Sequence, residues 1–182
     1  MTLQTELPTH AGLAAGIDPG GAELLLPWLA SQQRRVLGIV AGLDERALRR
    51  VVLASGWSCA GMIQHLTRMN EFWFVHVMGG VPIEESDDDF VVADDCSPAD
   101  LVTAYEVATR AHLALVRDLP LDTPPAWWPE DMFGPWRLDN LLEVLLHVII
   151  ETACHAGHLD AARELIDGGT WDYSRRQVRR PS

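Results

Sequence analysis

Residues 141–168, LLEVLLHVIIETACHAGHLDAARELIDG, form one long apolar run that also carries His147, Glu151, His155 and His158. On an α-helix each step of four residues advances only about 40°, so His147, Glu151 and His155 descend one stripe and His158 returns to it. The face is expected to point inward, because Val144, Leu145, Val148, Ile149, Ile150, Ala153, Leu159 and Ala162 leave little polar surface before Asp160, Arg163 and Glu164. A buried carboxylate is costly unless something pairs with its charge, and a metal ion is one such partner. The rest of the chain has to supply a cover for this helix.

That cover is affordable within one domain, since 182 residues at 48% hydrophobic content are enough for a substantial core. No apolar stretch reaches the roughly 18 residues of a bilayer span, because Glu143 and Glu151 interrupt the longest one. The N-terminus also lacks a charged region followed by an apolar core, so a cytoplasmic protein away from membranes is expected. Cys59, Cys96 and Cys154 contain no CxxC pair and read as free thiols, with Cys154 packed between helices. The net charge is -12, and every one of the 14 basic residues is Arg. This balance excludes an electrostatic footprint for nucleic acid or an anionic bilayer and leaves a small molecule as the partner. Arg163, Arg175, Arg176, Arg179 and Arg180 give a short basic tail, read as solvated and partly disordered.

Four long helices and no strand are expected. Residues 1–21 mix Pro and Gly with small residues as a loose arm; a first helix follows over 23–42, ended by Gly42. Asp44 caps a short helix, and Ser58 opens a second long one to about Met78, with Met62, Leu66, Met69, Trp73 and Val77 inward and His65 at the edge of that stripe. An acidic linker (Glu84, Glu85, Asp87, Asp88, Asp89, Asp94, Asp95) reads as a solvated loop. Ser97 and Pro98 start the third helix, and Asp139 is the expected cap of the fourth, closed by Gly168 and Gly169. Between them, Trp127, Trp128, Phe133 and Trp136 crowd a proline-rich loop that serves either as a pocket wall or as ordinary core.

A catalytic zinc-type site takes three His or carboxylate ligands and keeps one position open. Glu151 and His155, one turn apart, can supply two of them, and His65 on a facing helix can complete the set. His147 and His158 are then alternative ligands or hydrogen-bond partners, and Trp57, Trp73 and Trp136 are candidate pocket walls. Spacing alone leaves metal binding and simple polar packing both open. Nothing near His10, His76 or His112 suggests a site. No nucleophile elbow or Gly-rich phosphate loop appears.

SGWSCAGMIQHL around His65 and LLHVIIETACHAGHLDAARELIDG around His155 resemble the signature segments of the DinB-like superfamily, and the acidic DFVVADDCSPADLV linker is similar to theirs. The resemblance runs from about residue 24 to residue 169, and is greatest to actinobacterial members related to mycothiol-dependent maleylpyruvate isomerase and bacillithiol transferase-like proteins. It implies a four-helix bundle over residues 22–169, often a homodimer, followed by the tail at 170–182. It also implies a divalent metal, zinc or nickel, held by His65, Glu151 and His155, the last two in a Glu-x-x-x-His form similar to the isomerase's. The implied activity is transfer or isomerisation in which mycothiol or a similar thiol attacks a small electrophile. A metal-dependent hydrolase and a non-catalytic binding bundle are the alternatives. Leu142 and Glu143 stand where relatives often read Arg-Trp.

Overall fold

Side chains that can accept a hydrogen bond mark where helices begin. In the computed structural model, which describes residues 21–83 and 90–180, α1 spans Gly21–Val40 and ends at Gly42, whose φ of 74° suits a residue without Cβ. Asp44 caps α2 (Glu45–Arg49) by accepting the Ala47 N–H at 2.8 Å, and Ser58 caps α3 (Cys59–Glu71) through the Gly61 N–H at 3.1 Å. Ser97 opens α4 (Pro98–Val116), with Pro98 placed where a missing N–H costs nothing. The loose arm expected over 1–21 and most of the acidic loop at 84–89 lie outside the described residues.

α5 covers Leu141–Asp167 and closes on Gly168 at φ 75°. Its cap is Asn140, not Asp139: the Asn140 side chain accepts the Glu143 N–H at 3.0 Å, and the Glu143 carboxylate accepts the Asp139 N–H at 2.8 Å. Glu143 thus claims the amide of Asp139 and shifts the start one residue on, a variant of the reciprocal cap. α3 also departs from expectation. It does not run uniformly to Met78 but continues as a π-helical stretch, Phe72–Val77.

α1 packs chiefly along α5 and α3 along α4, with α3 also against α5. Met62, Leu66, Met69, Trp73 and Val77 are buried as their spacing predicts, and Leu141, Val144, Leu145, Val148, Ala156, Leu159 and Ala162 form the inner stripe of α5. One polar link crosses this core: the Gln33 amide donates to Asn70 Oδ1 at 3.1 Å, and Asn70 in turn donates to the Leu66 carbonyl at 2.7 Å. Among the described residues no helix is long and apolar enough to cross a membrane.

The molecule is mostly helical, but the expectation of no strand fails. Thr170–Asp172 (β1) and Gln177–Arg179 (β2) pair antiparallel, with Trp171 opposite Val178. The hairpin is fastened by Trp171, whose N–H donates to Asp160 at 2.8 Å and whose ring lies over Gly38, where a Cβ would fall 2.4 Å from it. The tail arginines are exposed as expected, yet the backbone that carries them is paired.

Arg163 was expected on the surface and is instead 1% exposed. Its Nη1 donates to the carbonyls of Ile39 at 2.6 Å and Ala41 at 2.9 Å, and its Nε to Asp167 at 2.8 Å. The last carbonyls of α1 have no partner within their own helix, and a guanidinium has enough donors to serve two of them and a carboxylate together. Replacing Arg163 by Met is expected to lower the unfolding free energy by about 3–5 kcal/mol in urea titration, because it strands buried acceptors. A loss below about 1 kcal/mol would mean that solvent reaches those carbonyls after all.

Candidate active site

Gly61, one turn ahead of His65, decides what can lie on this side of α3. A Cβ there would sit 2.2 Å from the Phe90 carbonyl oxygen, so only glycine lets the segment 90–92 cross the helix this closely. The Gln64 amide then donates to the Val91 carbonyl at 2.9 Å, and the Phe90 ring stacks on His65 at 4.3 Å between centroids. Phe90 carries no periodic signal of its own, and only the spacing Gly61, Gln64, His65 hints that something crosses here.

From the other side α5 presents its polar stripe. His155 is its centre: Nε2 lies 3.4 Å from Glu151 Oε2, Nδ1 lies 3.4 Å from His158 Nδ1, and the ring meets that of His65 edge-on at 4.9 Å. His65, Glu151, His155 and His158 therefore come together. His147 goes elsewhere, into an aromatic box with Trp73 at 4.7 Å and Trp136 at 5.2 Å. The stripe does not point into the core: His147, Glu151 and His155 are half-buried, while His158, Ile150 and Cys154 are exposed. The interior is filled by the neighbouring stripe from Leu141 to Arg163, and His147 and Glu151 face a cleft instead.

The loop after α4 builds the far wall of that cleft. The Ala126 and Trp127 N–H groups both donate to the Val77 carbonyl, at 2.9 and 3.1 Å, where the π-helical stretch ends. At its other end the loop's Leu121 and Thr123 carbonyls accept the N–H groups of Leu142 and Leu141, the first turn of α5, at 3.0 and 2.9 Å. The loop is both things expected of it: Trp128 is buried in the core, and it lines the cleft together with Trp127, Phe133 and Trp73. Its volume is about 1610 Å³, and His65, His147 and Glu151 reach it. Trp136 backs His147 from outside the lining, and Trp57 stands apart, 6.1 Å from His158. His76, for which no role was expected, belongs to the wall, with Nδ1 held 2.8 Å from the Val81 carbonyl oxygen.

Residues 24–168, most of the chain and all of this site, match the family described as Mycothiol-S-transferase. The chain belongs to the mycothiol-S-transferase family. This family lies within the DinB-like superfamily, as the two signature segments imply. No curated protein and no solved structure matches the chain.

For a mycothiol-S-transferase, the chemistry of the stripe depends on its protonation. Burial pushes His155 below the ordinary 6.5, His65 adds to this, and Glu151 opposes it. Burial likewise lowers His147 and His112, against the pull of Glu151 and Glu71 respectively. A neutral His155 offers a lone pair, and two imidazoles with a carboxylate are donor types that suit zinc or nickel. Among the described residues, however, no three His, Cys, Asp or Glu side chains are arranged to hold an ion as they stand. Cys59, buried and pushed up to about 11, is a thiol of the core, not a nucleophile.

Two measurements follow from this geometry. Because His112, His147 and His155 bind protons less readily folded than unfolded, their contribution to stability is complete above 6.5 and is lost as the pH falls below it. Asp167, held below 3.8 by its hydrogen bond from Arg163, loses its contribution only in more acidic solution. The melting temperature should thus drop between about pH 7.5 and about pH 5.5, with a shallower slope in His147→Phe; a flat profile would contradict neutral imidazoles. Separately, Gly61→Ala should cost at least about 1 kcal/mol and speed amide exchange across residues 90–92 while α5 stays protected. Unchanged exchange there would mean that the crossing does not need glycine.

Proposed function

We propose that this protein is a divalent-metal-dependent transferase that joins mycothiol to a small electrophile, on a DinB-like four-helix bundle made by α1, α3, α4 and α5. The observation that carries the reading is the meeting of His65, Glu151 and His155 at the edge of a large cleft, inside the region that matches the family. His65, Glu151 and His155 would hold the ion. A bound divalent cation supplies positive charge that favours thiolate over thiol at neutral pH. The cysteinyl sulfur of mycothiol gives up its proton to solvent and forms the new C–S bond, and the electrophile's leaving group departs with the bonding pair.

The chain's own side chains do the positioning. Phe90 stacked on His65 and the Glu151 carboxylate beside His155 fix two imidazoles whose rings would otherwise rotate freely. His147, clasped by Trp73 and Trp136, directs one imidazole edge towards the cleft, and His158 stands exposed beside Trp57, where it would orient the thiol. Wild-type protein should carry about one equivalent of zinc or nickel by plasma mass spectrometry, and Glu151→Gln and His155→Ala should lose it together with at least about a hundredfold of mycothiol conjugation. Full conjugation by protein stripped of metal would remove the ion from the mechanism; ester or amide cleavage without any thiol would replace the transferase reading with hydrolysis.

A further inference from the structure

One imidazole in the cleft wall has no part in the metal stripe, yet its ring is held in a defined state. The chain turns back at Gly80, and the Val81 carbonyl oxygen comes to lie 2.8 Å from His76 Nδ1. A carbonyl oxygen only accepts, so in the neutral ring Nδ1 carries the proton and Nε2 keeps the lone pair. Among the described residues nothing donates to that Nε2. The backbone thus spends one nitrogen of His76 on orientation and leaves the other as an acceptor on a residue that lines the cleft.

His76 stands far from the stripe. It follows His65 by eleven positions, roughly 16 Å along the helix at about 1.5 Å per residue. A ligand whose sulfur lies beside His65, Glu151 and His155 therefore meets His76 only through its other end. Between the two lies an aromatic floor, with Trp73 against His147 at 4.7 Å and Phe72 against Trp127 at 6.3 Å and Phe133 at 6.1 Å. Glu71, Glu130 and Asp131 line the same space as further acceptors. Glu130 can accept from a ligand while it holds Arg137 at 3.1 Å, because a carboxylate offers about four lone-pair sites. Ring faces beside acceptors suit a saturated ring bearing hydroxyls, whose C–H face packs on the negative faces of the aromatics while its O–H groups donate. We infer that His76 is a specificity residue for the thiol carrier: its Nε2 accepts a hydrogen bond from a hydroxyl at the carrier's non-reacting end, whose ring lies on Phe72 and Trp127. The inference rests on the transferase reading for what enters the cleft. A short thiol occupies the metal end alone and never reaches His76.

Two thiols titrated into the full-length protein as purified, with the fluorescence of the cleft tryptophans as signal, test it: mycothiol, and N-acetylcysteine, which stops short of His76. Three variants separate the two ring nitrogens. His76→Gln brings an amide oxygen to about the place of Nε2 and gives up the bond to Val81. His76→Asn keeps a donor for Val81 and has nothing at Nε2, and His76→Phe has neither. Mycothiol should bind at least about tenfold more weakly to His76→Asn and His76→Phe, and within about threefold of wild type to His76→Gln, while N-acetylcysteine is indifferent to all three. Loss in His76→Gln and His76→Phe with His76→Asn spared would mean that His76 only holds the Val81 turn, and overturns the inference. So does mycothiol binding that ignores all three changes, an equal loss with N-acetylcysteine, or no binding of mycothiol to the wild type. Mycothiol bound through His76 without conjugation to any electrophile removes the transferase reading and leaves this site standing. Conjugation together with mycothiol binding unmoved by the three variants has the opposite meaning.

Discussion

The cleft exists because helix ends leave backbone groups without partners. The first N–H groups of α5 and the last carbonyl of the π-helical stretch after α3 all need hydrogen bonds that their own helices do not supply. The loop at 120–137 provides both, with its Leu121 and Thr123 carbonyls at one end and its Ala126 and Trp127 amides at the other. It is therefore bridged between two helix termini and held at a fixed distance from the face of α5. The space left between loop and helix is the cleft. Gly80, at φ 68° and where a Cβ would fall 3.1 Å from that of Ala126, is the chain's concession to that approach.

The opposite end of α5 solves the same problem differently. There a side chain, Arg163, serves the orphaned carbonyls of α1, and the hairpin closes over the junction through Trp171. Arg163 is about 33 Å along the helix from Leu141 at 1.5 Å per residue. α5 is thus tied down at both extremities, and the half-buried His147, Glu151 and His155 occupy the length between the ties. Such an arrangement keeps polar residues at constant spacing without burying them completely, which a neutral imidazole requires if it is to meet a ligand.

Much of this was readable in advance. Ser58, Asp44, Ser97, Gly42 and Gly168 sit where their capping and left-handed preferences place them, and the inward stripe of α3 follows its spacing. His65, Glu151 and His155 do lie near one another, as the paired signature segments imply, but periodicity pointed the α5 stripe inward and it stays half-buried. What could not be read was set by partners distant in sequence. Arg163 is buried because carbonyls more than a hundred positions away need donors, and His76 belongs to the cleft because the loop carrying Trp127 and Phe133, some fifty positions on, closes over its side of the helix. The exposure of Cys154 depends on which neighbouring stripe wins the interior. A helix wheel with apolar residues nearly all round cannot rank its faces. The hairpin is not legible because a three-residue strand is too short to display the alternation that marks a strand.

The π-helical stretch has a consequence for how this wall can change. One extra residue per turn advances everything beyond it by about 100° relative to an uninterrupted α3. His76 faces the cleft, and Val77 delivers its carbonyl to the loop, only in that phase. Point substitutions alter single contacts, whereas the loss of one residue between 72 and 77 would restore the α phase and rotate the anchor of the loop away from its amides. The smallest edit that dismantles the cleft is therefore a deletion, and length within this stretch should be the least negotiable quantity in the chain.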